Sequence, residues 1–177
     1  MLRSVSDLKH FTITAMDGSL GRVSDLYVDD RSLAVRYLVV EAGNWLPSGR
    51  VLVPPVSIRN ADSTTLRVAL SKKQVTVSSM VNTGDAHLQP ATAVMGYAMQ
   101  AEDGEIGHVS DVLVDDKAWA IRYLVIDTEK WWTGKKVLVS PEWLTRVTWD
   151  ESKTLFCLAI AADNTAAPRT LSRRLAG

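Results

Sequence analysis

The chain has 177 residues, 46% hydrophobic and 23% charged, with 20 lysines and arginines balanced by 20 aspartates and glutamates. Such a composition belongs to a folded globular protein, and a formal charge of zero supplies no whole-molecule attraction to nucleic acid or anionic lipid. A single cysteine, Cys157, excludes an intramolecular disulfide, and no run reaches the roughly 18 apolar residues of a membrane helix, so a cytoplasmic location is expected.

In chain order, residues 11–15 read as a first strand, closed by Met16-Asp17-Gly18-Ser19, where Gly18 supplies the positive φ of a tight hairpin. A second strand over 21–28 leads through Asp29-Asp30-Arg31-Ser32 to Val35-Arg36-Tyr37-Leu38-Val39-Val40, a β-branched apolar run that reads as a buried strand. The loop Gly43-Asn44-Trp45-Leu46-Pro47-Ser48-Gly49 follows, and then Val51-Leu52-Val53, which Pro54 and Pro55 terminate by removing ladder donors. Apolar alternation at Leu66, Val68 and Leu70 predicts a half-buried strand, and Ser71-Lys72-Lys73-Gln74 has the capping-box spacing of a short helix ending near Ser79.

The run 35–40 returns 86 residues later as Ile121-Arg122-Tyr123-Leu124-Val125-Ile126, a repeat at domain scale. The expected organisation is a first copy over 1–79, a linker over 80–90, a second copy over 91–162 and a solvated tail over 163–177. If the turn is centred between Asp30 and Arg31, paired residue numbers sum to 61 and Asp25 faces Arg36; the same turn in the second copy sets Asp111 against Arg122. Both are expected as cross-strand ion pairs. Both faces of the 35–40 strand are partly apolar. Val23, Leu38, Val40, Val109, Leu124 and Ile126 are therefore the expected packing residues between the copies, forming a pseudo-two-fold dimer within one chain; pairing of two chains would use the same face.

These residues carry a resemblance to the PRC-barrel family: Asp17-Gly18, Gly21, Val23, Asp25, Asp29-Asp30, the 35–40 run, Trp45 and Val51-Leu52-Val53-Pro54. Their echoes are Asp103-Gly104, Gly107, Val109, Asp111, Asp115-Asp116, the 121–126 run, Trp131 and Val137-Leu138-Val139. The resemblance implies an all-β fold with minor helix, two tandem small antiparallel barrels, and a docking or assembly role with no catalytic motif to carry over. Glu129 in place of Gly43 and Thr133 in place of Pro47 depart from the first copy's loop.

Chemistry-bearing residues have local explanations. His10, His87 and His108 lack ligand spacing, so no metal is expected, and neither catalytic residues nor a cofactor are indicated. Asp29-Asp30 and Asp115-Asp116 read as turn residues, because a short carboxylate accepts nearby backbone N–H groups. Five of six tryptophans lie in the second copy: Trp119, Trp131, Trp132, Trp143 and Trp149. Trp45 and Trp131 are equivalent and read as packing residues, and the Trp131-Trp132 loop with Lys130, Lys135 and Lys136 reads as the candidate partner surface. The leading expectation is a non-enzymatic protein-interaction module. Its rival is an RNA- or ribosome-associated accessory factor using the same basic and aromatic loop.

Overall fold

The computed structural model describes residues 1–47, 49–81, 85–101, 104–128, 136–147 and 154–157. Its first elements are β1 (Leu2–Ser4) and a single helical turn, α1 (Val5–Leu8). The Ser4 hydroxyl caps that turn by accepting the Asp7 N–H at 3.1 Å, which seats Val5 and Leu8 in the core.

The chain then makes the hairpin of β2 (Thr12–Ala15) and β3 (Gly18–Asp29), with Ala15 opposite Gly18, so the turn is Met16-Asp17 and Gly18 takes a φ of 128°. Next come β4 (Val35–Glu41), β5 (Arg50–Val53), β6 (Ile58–Ala61) and β7 (Thr65–Val68). Hydrogen-bonded neighbours run β5-β4-β3-β2-β7-β6, antiparallel except for the parallel β2–β7 pair, and the path ends at β5 and β6 without joining them. Leu20, Leu26, Leu38 and Leu66 are fully buried in this curled sheet, each contributing about 1.5–3 kcal/mol of transfer free energy.

Helix α2 (Lys72–Val81) begins in the expected capping box: the Gln74 N–H donates to Ser71 Oγ at 3.3 Å, and the Ser71 N–H donates to Gln74 Oε1 at 2.9 Å. The helix covers the edge strand β5. Ser79 Oγ accepts the Leu52 N–H at 2.7 Å, satisfying a donor that the edge of the sheet would otherwise expose.

Two compact units emerge. The first comprises Met1–Thr92 with Val114–Ala120, and the second Ala93–Leu113 with the chain from Ile121 onward. Within the expected linker, β8 (Leu88–Pro90) pairs antiparallel with β3, placing Tyr27, Val28 and Asp29 opposite Pro90, Gln89 and Leu88. The Asp30 N–H donates to the His87 carbonyl at 3.0 Å, and the Asp116 N–H donates to the Met1 carbonyl at 3.0 Å. Asp30 and Asp116, like Met1 and His87, stand 86 residues apart, so one bond is made twice at equivalent places.

The second unit holds β9 (Ala98–Ala101), β10 (Gly104–Asp115, whose last residues count with the first unit), β11 (Ala120–Asp127), β12 (Lys136–Val139), β13 (Leu144–Val147) and β14 (Thr154–Cys157). Its order, β12-β11-β10-β9-β14-β13, repeats that of the first unit strand for strand, again with one parallel pair, β14–β9.

The turn between β3 and β4 corrects the expected register. It is not centred between Asp30 and Arg31: the Leu33 N–H closes on the Asp29 carbonyl at 2.8 Å with Leu33 at a φ of 56°, and the Asp29 carboxylate accepts the Arg31 and Ser32 N–H groups at 3.0 Å. The wider turn moves the pairing by two to three residues, so Val23 faces Val40, Leu26 faces Leu38 and Asp25 faces Val39. Arg36 consequently reaches Asp29 at 3.0 Å rather than Asp25. The second copy builds its turn the same way. The Trp119 N–H closes on the Asp115 carbonyl at 2.7 Å with Trp119 at a φ of 48°, and Asp115 Oδ1 accepts the Lys117 N–H at 3.0 Å. Val23, Leu38 and Val40 are buried in the first unit, and Val109, Leu124 and Ile126 in the second.

Candidate functional site

The loop between β4 and β5 is anchored by its tryptophan. Trp45 Nε1 donates to the Leu20 carbonyl at 2.7 Å, and the Lys72 ammonium lies over the indole, 5.3 Å from the ring centroid. The tryptophan thus fastens the loop to β3 and α2, as a packing residue does. Gly43 and Gly49 turn the loop with φ values of 56° and 70°.

Between this loop and the sheet lies an open groove of about 690 Å³. Gly21 is among its lining residues, and there β3 approaches β4 so closely that a Cβ would overlap the Glu41 carbonyl. Gly107 stands in the same relation to the Asp127 carbonyl in the second unit. The missing side chain therefore permits the close approach of the two strands.

Three charged residues cross the groove on adjacent strands: Arg22 on β3 is opposite Glu41 on β4, and Glu41 is opposite Arg50 on β5. Directly opposed residues project from the same face, so the three form one basic–acidic–basic row, all exposed. Among the described residues none of the three makes an ion pair within 4.0 Å or a side-chain hydrogen bond. Other charges in the first unit are engaged, as in Arg36–Asp29 at 3.0 Å, Arg67–Asp62 at 3.6 Å and Arg3–Asp116 at 2.8 Å. In the second unit Asp127 is opposite Lys136, and His108 follows Gly107 at the place of Arg22.

This row bears directly on the expected partner surface. Lys130, Trp131, Trp132 and Lys135 lie outside the described residues, as does Trp149. Lys136 is described and exposed on β12. Shifted by the 86-residue repeat, Lys130, Lys135 and Lys136 correspond to Asn44, Gly49 and Arg50, all of which line the groove. The row went unread in the sequence because its members lie well apart along the chain and align only in the correct register.

The remaining candidates have local roles. Among the described residues Asp25 makes no ion pair and acts as a clamp: Oδ1 accepts the Leu26 N–H at 2.7 Å and the Thr92 N–H at 3.3 Å, and Oδ2 accepts the Thr92 hydroxyl. Asp111 likewise accepts the Val112 N–H at 2.7 Å. The Ser32 N–H, the Arg36 guanidinium and the Arg31 N–H hold the Asp29 carboxyl far below the usual carboxylate range. At Asp116, burial opposes ionisation, but the terminal ammonium and Arg3 outweigh it and hold the carboxyl below its ordinary value. His87 Nδ1 lies 3.2 Å from Asp30, in a turn contact. Among the described residues no three histidine, cysteine, aspartate or glutamate side chains are grouped to hold a metal ion. No helix among them is long and apolar enough to cross a membrane.

Comparison with known families agrees with this architecture. A family model described as PRC-barrel domain matches residues 2–80 and again 98–153, two copies in tandem. Comparison with curated proteins finds no match.

Proposed function

Because this chain belongs to the PRC-barrel domain family, we propose that its two copies act as a non-enzymatic protein-interaction or assembly module. The observation that carries this reading is the unengaged charge row in the groove beside Trp45. Charges set opposite one another on neighbouring strands ordinarily neutralise each other, and a row left open on a rigid sheet is suited to an outside partner. The groove is open to solvent, which favours a surface contact over enclosure of a small substrate.

The test is a photo-crosslinking residue in place of Asn44, activated in cells, with the adducts identified by mass spectrometry. A discrete protein adduct, lost when Arg22 and Arg50 are both changed to glutamate, supports the module. Adducts to RNA in place of protein would replace this reading with that of an RNA-associated factor, and the absence of any groove-dependent adduct would refute it.

A further inference from the structure

The groove also specifies the partner's chemistry, an inference that rests on the interaction-module reading. We propose that it docks a segment in polyproline-II conformation with acidic residues at positions i and i+3 and a basic residue between them. Arg22 and Arg50 are separated by one intervening strand, and neighbouring strands lie about 4.8 Å apart, so their backbone positions are about 10 Å apart on one face. A polyproline-II helix advances about 3.1 Å per residue with three residues per turn, which returns side chains i and i+3 to one face about 9 Å apart. An ordinary β-strand does not meet this requirement, since its residues i and i+3 point to opposite sides.

Charge order supplies the rest of the specification. Each guanidinium takes one carboxylate, and Glu41 between them disfavours a purely acidic tract; a lysine between the two acids projects from a flank of the three-residue turn and reaches Glu41 through its long flexible side chain. Asn44 at the groove wall offers an amide to the segment's backbone, which in polyproline-II has no internal hydrogen bonds. A nucleic-acid backbone fits poorly, because its uninterrupted phosphates would face Glu41.

The probe is a fluorescein-labelled peptide with the core Glu-Pro-Lys-Glu flanked by prolines, titrated with the full chain by fluorescence anisotropy. Saturable binding is expected, weakened at least tenfold by Arg22→Glu or Arg50→Glu, in variants whose melting is unchanged because both side chains are exposed. Glu41→Gln should reverse the preference, so that a Glu-Pro-Ala-Glu peptide binds as well as the lysine form or better. Equal binding of a Lys-Pro-Glu-Lys peptide, indifference to the arginine reversals, or displacement by polyuridine at equal charge concentration would overturn the proposal. The two readings fail separately. A cellular protein adduct lost on the arginine reversals, without saturable binding of the peptide, leaves the module standing and removes the polyproline-II ligand, whereas peptide binding without any cellular protein adduct removes the module.

Discussion

Replacing Asp25 by alanine should loosen the 85–92 segment from the first unit. Its carboxylate accepts the Leu26 N–H at 2.7 Å, the Thr92 N–H at 3.3 Å and the Thr92 hydroxyl. Hydrogen bonds to a charged group contribute about 1.5–3 kcal/mol each. Asp25 is only half-buried, one bond is long and water can replace part of what is lost, so the expected cost is about 3 kcal/mol, well below the full sum. In a protein of this size about 1 kcal/mol moves the midpoint by about 2–4 °C, so the melting temperature should fall by about 6–12 °C. Thr92→Val removes only the hydroxyl and should cost about 1 kcal/mol. Since the residues touch, the double variant should be less destabilised than the sum by about 1 kcal/mol or more. Thermal and urea unfolding followed by circular dichroism measure these values, with limited proteolysis reporting cleavage within 85–92. An Asp25→Ala effect below about 0.5 kcal/mol, the range of ordinary surface changes, would refute the clamp, as would strict additivity with Thr92→Val.

Two further outcomes are expected. Gly21→Ala and Gly107→Ala should each cost about 3 kcal/mol or more or abolish folding, because the new methyl meets a backbone carbonyl across the ladder, whereas Gly43→Ala, with nothing within 4 Å of the added Cβ, should cost about 1 kcal/mol for its positive φ alone. A Gly21→Ala protein that melts with the wild type would refute the close approach. The lowered carboxyl of Asp29 makes a pH prediction whose sign follows from linkage. Its stabilisation is present above the ordinary aspartate value of 3.8 and is lost as pH falls below that value, so Asp29→Asn should flatten the acid limb of the stability curve there and leave its shape at neutral pH unchanged. An acid limb identical in the two proteins would count against the turn geometry.

Read residue by residue, the sequence alone determined what depends on neighbours a few positions away. The 86-residue repeat, the Gly18 hairpin, the Ser71–Gln74 capping box and the buried 35–40 strand all follow from period, turn chemistry and short-range hydrogen bonding. The PRC-barrel resemblance was legible because both copies carry the same local pattern. Tertiary structure decided the register, since a leucine or tryptophan at positive φ leaves no mark in composition and yet lengthens the turn. It also decided the clamp, because Asp25 and Thr92 lie 67 positions apart and meet only once β8 pairs with β3. The basic–acidic–basic row was settled by the same step. Arg22, Glu41 and Arg50 are ordinary surface charges along the chain, and only correct alignment of three strands places them side by side on one face.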